Sequence, residues 1–334
     1  MPVKIAVLGD GAMGTACALL LAKRPEHRVT LWSAREENAR ILRERRENVR
    51  LLPGVPIPES IQLTTDIRDA ATDAQLLVMA IPTVYLRATL TRIAAELRSH
   101  QQPAVSVAKG LEIDTFLRPT EIIRQVLGER PVAALSGPSH AEEVSRGLPA
   151  TLVAASTDAD FARHVQQVFN SDRFRVYTNT DLVGVELAGA LKNIIGIAAG
   201  ISDGLGFGDN TKSALLTRSL VEMVRFGMAH GAELHTFFGL AGIGDIITTS
   251  ISPHGRNRRV GELLGKGQKL QEILAKMSQV AEGVWTARSV HAKATQMGLD
   301  MPISTEVYRV LYENKAPLAA VQDLMARDLK SEGW

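Results

Sequence analysis

The feature that most constrains this chain is a glycine-rich turn near its N-terminus. Residues 3–8 form a short apolar run typical of a β-strand, and G-D-G-A-M-G follows, with glycines at Gly9, Gly11 and Gly14. Helical spacing begins directly afterwards. Gly9 then allows a tight turn, Gly11 lets the backbone approach a diphosphate, and Gly14 permits a helix to pack closely on a strand. The motif therefore predicts a dinucleotide coenzyme held at a helix N-terminus.

The end of the second predicted strand, residues 28–32, bears on the choice of coenzyme. NAD-binding chains usually place an acid there for the ribose 2′-hydroxyl, but this strand ends in W-S-A-R. Arg35 could pair with a 2′-phosphate, so the pattern favours NADP(H) while leaving NAD(H) open. Asp10 is expected to point into solvent, because its charge would repel the diphosphate.

Strand and helix patterns alternate through the first half of the chain and then change. β-like runs occupy residues 3–8, 28–32, 76–81, 104–107, 132–135 and 150–154. After about residue 180 helical periodicity dominates. We predict an α/β, Rossmann-like N-terminal domain with a mostly parallel sheet over residues 1–180, and an all-α C-terminal domain over residues 181–334.

Composition limits the class of protein and the cellular compartment. Hydrophobic residues make up 45% of 334 positions and the net charge is +2, which suits two packed domains and gives no reason to expect a nucleic-acid partner. The single cysteine, Cys17, excludes an intrachain disulfide and favours the cytoplasm. The most apolar stretch, residues 187–201, contains Lys192 and Asn193. No membrane insertion is expected.

That apolar stretch is the second informative feature. Residues 185–201 read as a helix that is apolar nearly all round and should be buried, yet Lys192 and Asn193 lie at its centre. Glycines at positions 189 and 196 share the face of Lys192 and form a trough of small residues, which suits either a neighbouring helix or a substrate. A buried ammonium is costly unless it is paired or used, and burial lowers a lysine pKa towards values useful in proton transfer. We interpret Lys192 as catalytic, the alternative being a structural lysine paired with a core acid.

A basic helix start lies further along the chain. The segment G-R-N-R-R at residues 255–259 places Arg256 and Asn257 where a predicted helix begins. A guanidinium group beside unpaired helix N–H groups is a suitable receptor for a phosphate. Taken alone, such a run is more often a solvated basic turn.

With these motifs in order, the chain resembles the NAD(P)-dependent glycerol-3-phosphate dehydrogenases of the bacterial type. The resemblance covers essentially the whole chain. The motifs that carry it are G-D-G-A-M-G, A-K-G-L-E at 108–112, S-G-P-S-H-A-E-E at 136–143, G-A-L-K-N-I-I-G-I-A-A-G at 189–200, G-I-G-D at 242–245 and G-R-N-R-R. It implies reversible reduction of dihydroxyacetone phosphate to sn-glycerol 3-phosphate for phospholipid synthesis, and a homodimer.

The resemblance also implies roles for individual residues. Lys192 matches the family's catalytic lysine. We expect Lys109 to assist as a second cation and Asp245 to orient Lys192 or a substrate hydroxyl. Without the resemblance, Lys109 would be interpreted as a solvated loop lysine, and Asp245 could also be a helix N-cap. Substrate contacts are expected at Lys109, Gly137, Ser139, Lys192, Asn193, Asp245, Thr249, Gly255, Arg256 and Asn257. Coenzyme contacts are expected at Gly9, Gly11, Ala12, Met13, Gly14, Arg35, Lys109, Ala141, Arg256, Val280 and Glu282. Asp10, Met13, Ser139 and Gly255 depart from residues common in the family, which bears on affinity more than on reaction type.

Two other functions remain open on the residues alone. One is an oxidoreductase of the related β-hydroxyacid dehydrogenase kind, acting on a small carboxylate; residues 255–259 argue against it. The other is a non-catalytic NADP-binding regulator, which would have no need of Lys192 in a glycine trough. No metal site is expected, because the eight histidines show no close zinc-type spacing.

Overall fold

The computed structural model describes residues 3–98, 101–277, 279–329 and 331–332. The chain divides into two compact units. Unit 1 comprises residues 1–108 and 117–182, and unit 2 comprises residues 109–116 and 183–334. The short segment Lys109–Phe116 thus belongs with the C-terminal unit, although it lies in the N-terminal half of the sequence.

Unit 1 is an α/β layer structure, as the sequence predicted. Its strands are β1 (Val3–Leu8), β2 (His27–Trp32), β3 (Glu47–Asn48), β4 (Leu52–Pro56), β5 (Gln62–Thr64), β6 (Leu76–Met79), β7 (Ala104–Ser106), β8 (Val132–Ser136), β9 (Ala150–Ala155) and β10 (Phe174–Asn179). Its helices are α1 (Ala12–Leu21), α2 (Glu36–Arg45), α3 (Ile67–Ala71), α4 (Thr83–Leu97), α5 (Pro119–Leu127), α6 (Ala141–Ser145) and α7 (Ala159–Phe169).

Eight of these strands form one sheet in the order β10-β9-β8-β7-β6-β1-β2-β5. Every pair is parallel except β8 with β9, so the prediction of a mostly parallel sheet is confirmed. The central strands carry side chains such as Val7, Leu31 and Val78 that are almost wholly buried. Helices on the sheet faces bury these apolar runs, which is the usual way a parallel sheet is stabilised.

Unit 2 is helical, again as predicted. Its helices are α8 (Leu182–Gly204), α9 (Asp209–Ala229), α10 (Leu234–Phe237), α11 (Asp245–Ile251), α12 (Arg256–Gly265), α13 (Leu270–Lys276), α14 (Glu282–Met297), α15 (Pro302–Tyr312) and α16 (Pro317–Met325), with a π-helical segment at Leu240–Gly244. Almost every residue of α8 is buried, which confirms the prediction made for this helix.

Neighbouring helices fill the glycine trough of α8 at Gly196 and Gly200. A Cβ on Gly196 would lie 2.6 Å from Cγ2 of Thr249, and one on Gly200 would lie 2.0 Å from the carbonyl oxygen of Arg258 in α12. At Gly196 and Gly200 the trough thus accommodates neighbouring helices, one of the two alternatives that the sequence left open. The glycines therefore let α11 and α12 approach α8 closely, at the level of Lys192 and one turn beyond it.

Two helical stretches, Leu182–Gly204 and Leu234–Ile251, are long and apolar enough to cross a membrane by length and composition. In the first, 94% of the apolar window is buried inside the fold, and in the second 44% is buried. A core helix of a soluble protein passes the same test, so length and hydropathy are weak grounds for a membrane span.

Candidate active site

Unit 2 brings the three predicted catalytic residues together. Lys192 Nζ lies 3.0 Å from Asp245 Oδ1, and Lys109 Nζ lies 2.7 Å from Asp245 Oδ2. Lys192 also donates to Thr249 Oγ1 at 2.6 Å. The Asp245 side chain is 2% exposed and that of Lys192 is 10% exposed. The site is thus a buried carboxylate shared by two ammonium groups.

Local structure explains how these groups meet. Asp245 and Thr249 lie one turn apart on α11 and face the same side, while Lys192 projects from the middle of α8. The close approach permitted by Gly196 brings Thr249 within reach of the amine. Asp245 is the first residue of α11 and follows its N-cap, Gly244, so the carboxylate also lies at the positive end of that helix.

The electrostatic balance is unusual for a lysine. Burial lowers the pKa of Lys192 to about 8, and the charge of Lys109 acts in the same direction, against the attraction of Asp245. Burial acts to raise the pKa of Asp245, but the charges of Lys109 and Lys192 outweigh it and keep the pKa below its usual range. The carboxylate therefore stays ionised while the amine of Lys192 titrates near neutral pH.

A chain of side-chain amides supports this cluster. Asn193 Nδ2 donates to the carbonyl oxygen of Lys109 at 2.6 Å, and Asn257 Nδ2 donates to Asn193 Oδ1 at 2.9 Å. The N–H of Gly283 then donates to Asn257 Oδ1 at 3.0 Å. Asn193 and Asn257, both expected to contact substrate, are thus engaged with protein groups that link α8, α12 and α14. Sequence reasoning did not predict this connection.

Arg256 lies in the first turn of α12 and is exposed. Its Nη1 donates to the carbonyl oxygen of Val280 at 3.1 Å, and Glu282 begins α14 two residues later. Gly255 is the N-cap of α12. The structure therefore brings Arg256 into contact with Val280, which was also expected to contact the coenzyme, and it places a guanidinium group beside the N–H groups of a helix start.

The remaining predicted residues belong to unit 1. Gly11 is the N-cap of α1, and Ala12 and Met13 open that helix. Ala141 is buried on α6, which packs against α1. Ser139 Oγ donates to the carbonyl oxygen of Gly137 at 2.9 Å. Arg35 is the exposed N-cap of α2.

The glycine turn has the geometry that a diphosphate requires. Gly9 has φ +118°, and a Cβ on Gly14 would lie 1.8 Å from the carbonyl oxygen of Gly9, so neither position tolerates a side chain. A Cβ on Gly11 would meet nothing within 4 Å. The open space beside Gly11, at the start of α1, fits the diphosphate of a nicotinamide dinucleotide.

One expectation about this turn is wrong. Asp10 does not point freely into solvent, because Ser33 Oγ donates to Asp10 Oδ2 at 2.9 Å. Ser33 directly follows β2 and is 1% exposed. The argument for NADP(H) assumed that no acid lies at this strand end, whereas the fold brings one there from the glycine turn. No pattern in the sequence indicates that contact.

Comparison with known proteins also divides the chain into an N-terminal and a C-terminal part. Sequence profiles described as the N-terminus and the C-terminus of NAD-dependent glycerol-3-phosphate dehydrogenase match residues 4–162 and 181–322. The glycerol-3-phosphate dehydrogenase [NAD(P)+] of Chlorobium phaeobacteroides (strain BS1) is 49% identical over 333 residues, 99% of each chain.

Solved structures agree with these matches. The glycerol-3-phosphate dehydrogenase of Coxiella burnetii has a TM-score of 0.93 and 36% identity, covering 98% of this chain and 99% of its own. That of Plasmodium falciparum has a TM-score of 0.86 and 26% identity, covering 99% and 97%. D-mandelate dehydrogenase, at 12% identity and a TM-score of 0.63 with coverage of 98% and 100%, shares the fold alone.

Proposed function

The chain belongs to the NAD-dependent glycerol-3-phosphate dehydrogenase family, and on that premise we propose that it interconverts dihydroxyacetone phosphate and sn-glycerol 3-phosphate with NAD(P)H or NAD(P)+. The observation that carries the proposal is the buried amine of Lys192, held by Asp245 and Thr249 with a second cation, Lys109, on the same carboxylate. Such an arrangement suits proton transfer to an oxygen that becomes negatively charged.

Unit 1 holds the coenzyme in this proposal. Gly11 at the start of α1, together with Ala12, Met13 and Ala141, would hold its diphosphate. Arg35 and Asp10 lie towards the end of β2, where such folds bind the adenosine ribose. The nicotinamide, when bound, supplies or accepts the hydride at the substrate carbon.

Lys192 carries the proton. As an ammonium it donates a hydrogen bond to the substrate carbonyl oxygen, stabilises the developing negative charge and gives up its proton. In the opposite direction the neutral amine takes the proton of the substrate hydroxyl. A lysine with a pKa of about 8 can serve in both directions near neutral pH. Asp245 and Thr249 orient the amine, and Lys109 adds a second positive charge.

The substrate phosphate binds at the start of α12. Arg256 supplies a guanidinium group, and the first N–H groups of the helix have no carbonyl partner within it. Asn257 and Asn193 position this helix start relative to Lys109 through their paired amides. Gly137 and Ser139 of unit 1 complete the set of expected substrate contacts. Holding the phosphate away from the reacting carbon fixes the carbonyl for reaction.

Steady-state kinetics test the proposal. We expect the purified protein to oxidise NADH or NADPH when dihydroxyacetone phosphate is added, and to reduce NAD+ or NADP+ with sn-glycerol 3-phosphate. A panel of 2- and 3-oxo acids is the control for a β-hydroxyacid dehydrogenase. Turnover with the oxo acids alone would replace the proposal by that function, and no turnover despite coenzyme binding would favour a regulator.

We further propose how the two domains divide the binding roles, where the enzyme works in the cell and how many subunits it has. Residues 1–180 form the domain that supplies most coenzyme contacts, and residues 181–334 form the helical domain that supplies Lys192 and most substrate contacts. The enzyme works as a homodimer in the cytoplasm, without membrane insertion or nucleic acid, and supplies glycerol 3-phosphate for phospholipid synthesis. Light scattering during gel filtration tests the dimer, since a monomer at micromolar concentration would contradict it.

A further inference from the structure

We propose that Asp10 determines the choice between the two nicotinamide coenzymes and that the enzyme favours NAD(H). The fold supplies from the glycine turn the carboxylate that β2 itself lacks. This inference rests on the proposed function, because it requires that unit 1 holds the coenzyme. It reverses the preference for NADP(H) that the sequence of the strand end suggests.

The position of the carboxylate is the first argument. Ser33, the residue after β2, donates from Oγ to Asp10 Oδ2 at 2.9 Å, and Ser33 is almost fully buried. The N–H of Gly9 donates to the carbonyl oxygen of Trp32, the last residue of β2, at 3.1 Å. The glycine turn is therefore bound to the end of β2 through backbone and side chain, and the Asp10 carboxylate lies at that end.

The second argument is that Asp10 is held in place. Asn48, which is 6% exposed, donates from Nδ2 to the carbonyl oxygen of Asp10 at 2.9 Å and to Thr15 Oγ1 at 2.8 Å. The N–H of Leu51 donates to Asn48 Oδ1 at 3.2 Å. The amide thus joins the middle of the glycine turn to the first part of α1. A carboxylate anchored on both its backbone and its side chain is preorganised to interact with a ligand.

The chemistry at this strand end distinguishes the coenzymes. In dinucleotide-binding folds an acid there accepts a hydrogen bond from the ribose 2′-hydroxyl, and NADP carries a phosphate on the same oxygen. An ionised carboxylate offers about four acceptor positions, so the bond from Ser33 leaves room for a ribose hydroxyl. The same charge repels a 2′-phosphate.

Two arginines near this strand end would attract a 2′-phosphate and so oppose the effect of Asp10. Arg35 is exposed at the N-cap of α2, and Arg92 of α4 donates to the carbonyl oxygen of Ala34 at 3.5 Å. Both arginines are exposed, so salt and side-chain freedom weaken their attraction for a phosphate. Asp10 is partly buried and has two anchors. We therefore expect its effect to exceed that of the arginines.

Equilibrium binding tests the inference without turnover. Isothermal titration of the full chain with NADH, NADPH, ADP-ribose and 2′-phospho-ADP-ribose gives four dissociation constants. We expect the wild type to bind the forms without the 2′-phosphate about tenfold tighter or more, as one nearby charge pair provides. Asp10→Ala should shift this ratio about tenfold towards the phosphorylated forms. Equal or tighter binding of NADPH by the wild type, or an unchanged ratio in Asp10→Ala, overturns the inference.

Two control variants separate discrimination from general damage. Asn48→Ala removes the backbone anchor of Asp10 and should weaken binding of both coenzymes, with a smaller shift in their ratio than Asp10→Ala, because the carboxylate itself remains. Asp160→Asn removes an exposed carboxylate from α7, the helix after β9, near the opposite edge of the sheet from β2, and should change neither constant. If Asp160→Asn shifts the ratio of the NADH and NADPH dissociation constants as much as Asp10→Ala does, the effect is not specific to Asp10 and the inference fails. If the wild type binds neither coenzyme, the proposed function fails as well, whereas tight binding with an unchanged ratio ends only the inference about Asp10.

Discussion

Lys192 donates to Asp245 across 3.0 Å, and the other oxygen of that carboxylate accepts from Lys109. Lys192, the proposed proton donor, therefore shares the carboxylate of Asp245 with Lys109. A carboxylate bound to two ammonium groups holds each less tightly than it would hold one alone. Burial and the second cation together keep the pKa of Lys192 near 8 despite the ion pair.

Replacing Lys192 tests the proton donor. Lys192→Ala should lower kcat about 10²- to 10⁴-fold while leaving the dissociation constant of NADH unchanged, because the coenzyme contacts lie elsewhere. Lys192→Arg should not recover activity, since a guanidinium group does not release its proton in this pH range. Lys212→Ala, which removes a lysine paired with Asp203, is the matched control and should retain turnover. Near-normal kcat in Lys192→Ala would contradict the assignment.

The pKa of Lys192 predicts opposite pH profiles for the two directions. Reduction requires the ammonium form, so its kcat should fall as the pH rises through about 8. Oxidation requires the neutral amine, so its kcat should rise over the same range. Measuring both profiles between pH 6 and pH 10 on one preparation provides the check. Profiles that move in the same direction would show that another group, or another step, controls the rate.

Asp245→Asn tests the shared acid. Asp245 raises the pKa of Lys192, so its loss should shift the reduction profile to lower pH, in addition to lowering kcat. The variant also leaves two buried ammonium groups without their carboxylate, and a fall in Tm is expected. If the midpoint of the pH profile for reduction is unchanged in Asp245→Asn, Asp245 does not affect the pKa of the group that controls the rate. Asp300→Asn, at an exposed ion pair with Arg327, is the control for loss of a carboxylate in unit 2.

Arg256→Ala tests the phosphate site. In the proposed site the guanidinium group contacts the substrate phosphate in both the bound and the reacting state. KM for dihydroxyacetone phosphate should therefore rise about 10-fold or more, with a smaller change in kcat. Arg259→Ala is a matched control on the same helix, where Arg259 is exposed and pairs with Glu262. A similar rise in KM for both variants would indicate a general effect of positive charge rather than a contact by Arg256.

Glu222 provides a test of stability that is independent of catalysis. Its carboxylate, buried on α9, accepts from the N–H of Ile303 at 2.6 Å and from the N–H and hydroxyl of Ser304, at the start of α15. Burial raises its pKa to about 7, above the value of 4.5 expected in the unfolded chain. The stability linked to its protonation is thus full below about pH 4.5 and is lost as the pH rises through 7.

Denaturant unfolding of Glu222→Gln across this range checks that linkage. The wild type should lose on the order of 3 kcal/mol more than the variant between pH 4.5 and pH 8. Glu272→Gln, at an exposed position of α13, should follow the wild type. If the free energy of unfolding changes with pH in the same way in the wild type and in Glu222→Gln, the pKa of Glu222 does not differ between the folded and unfolded chains.

Much of the architecture follows from short-range patterns. The strands β1, β2, β6, β7, β8 and β9 were predicted to within two residues at each end, because buried parallel strands are continuous apolar runs. The strand β10 was missed because only alternate side chains, those of Phe174 and Val176, are buried. The short β3–β4 hairpin and helices α5 and α7 were also missed. Their stability depends on packing against the rest of unit 1.

Sequence alone determined that a glycine turn follows the first strand, that a helical half follows an α/β half, and that a lysine lies within an apolar helix. These are local properties, visible in the order and spacing of neighbouring residues. The tertiary structure decided that Lys192 meets Asp245 and Thr249, and that Asp10 meets Ser33. Hydrogen-bond partners far apart along the chain leave no periodic signal, so a side chain's charge could be predicted but the group it contacts could not.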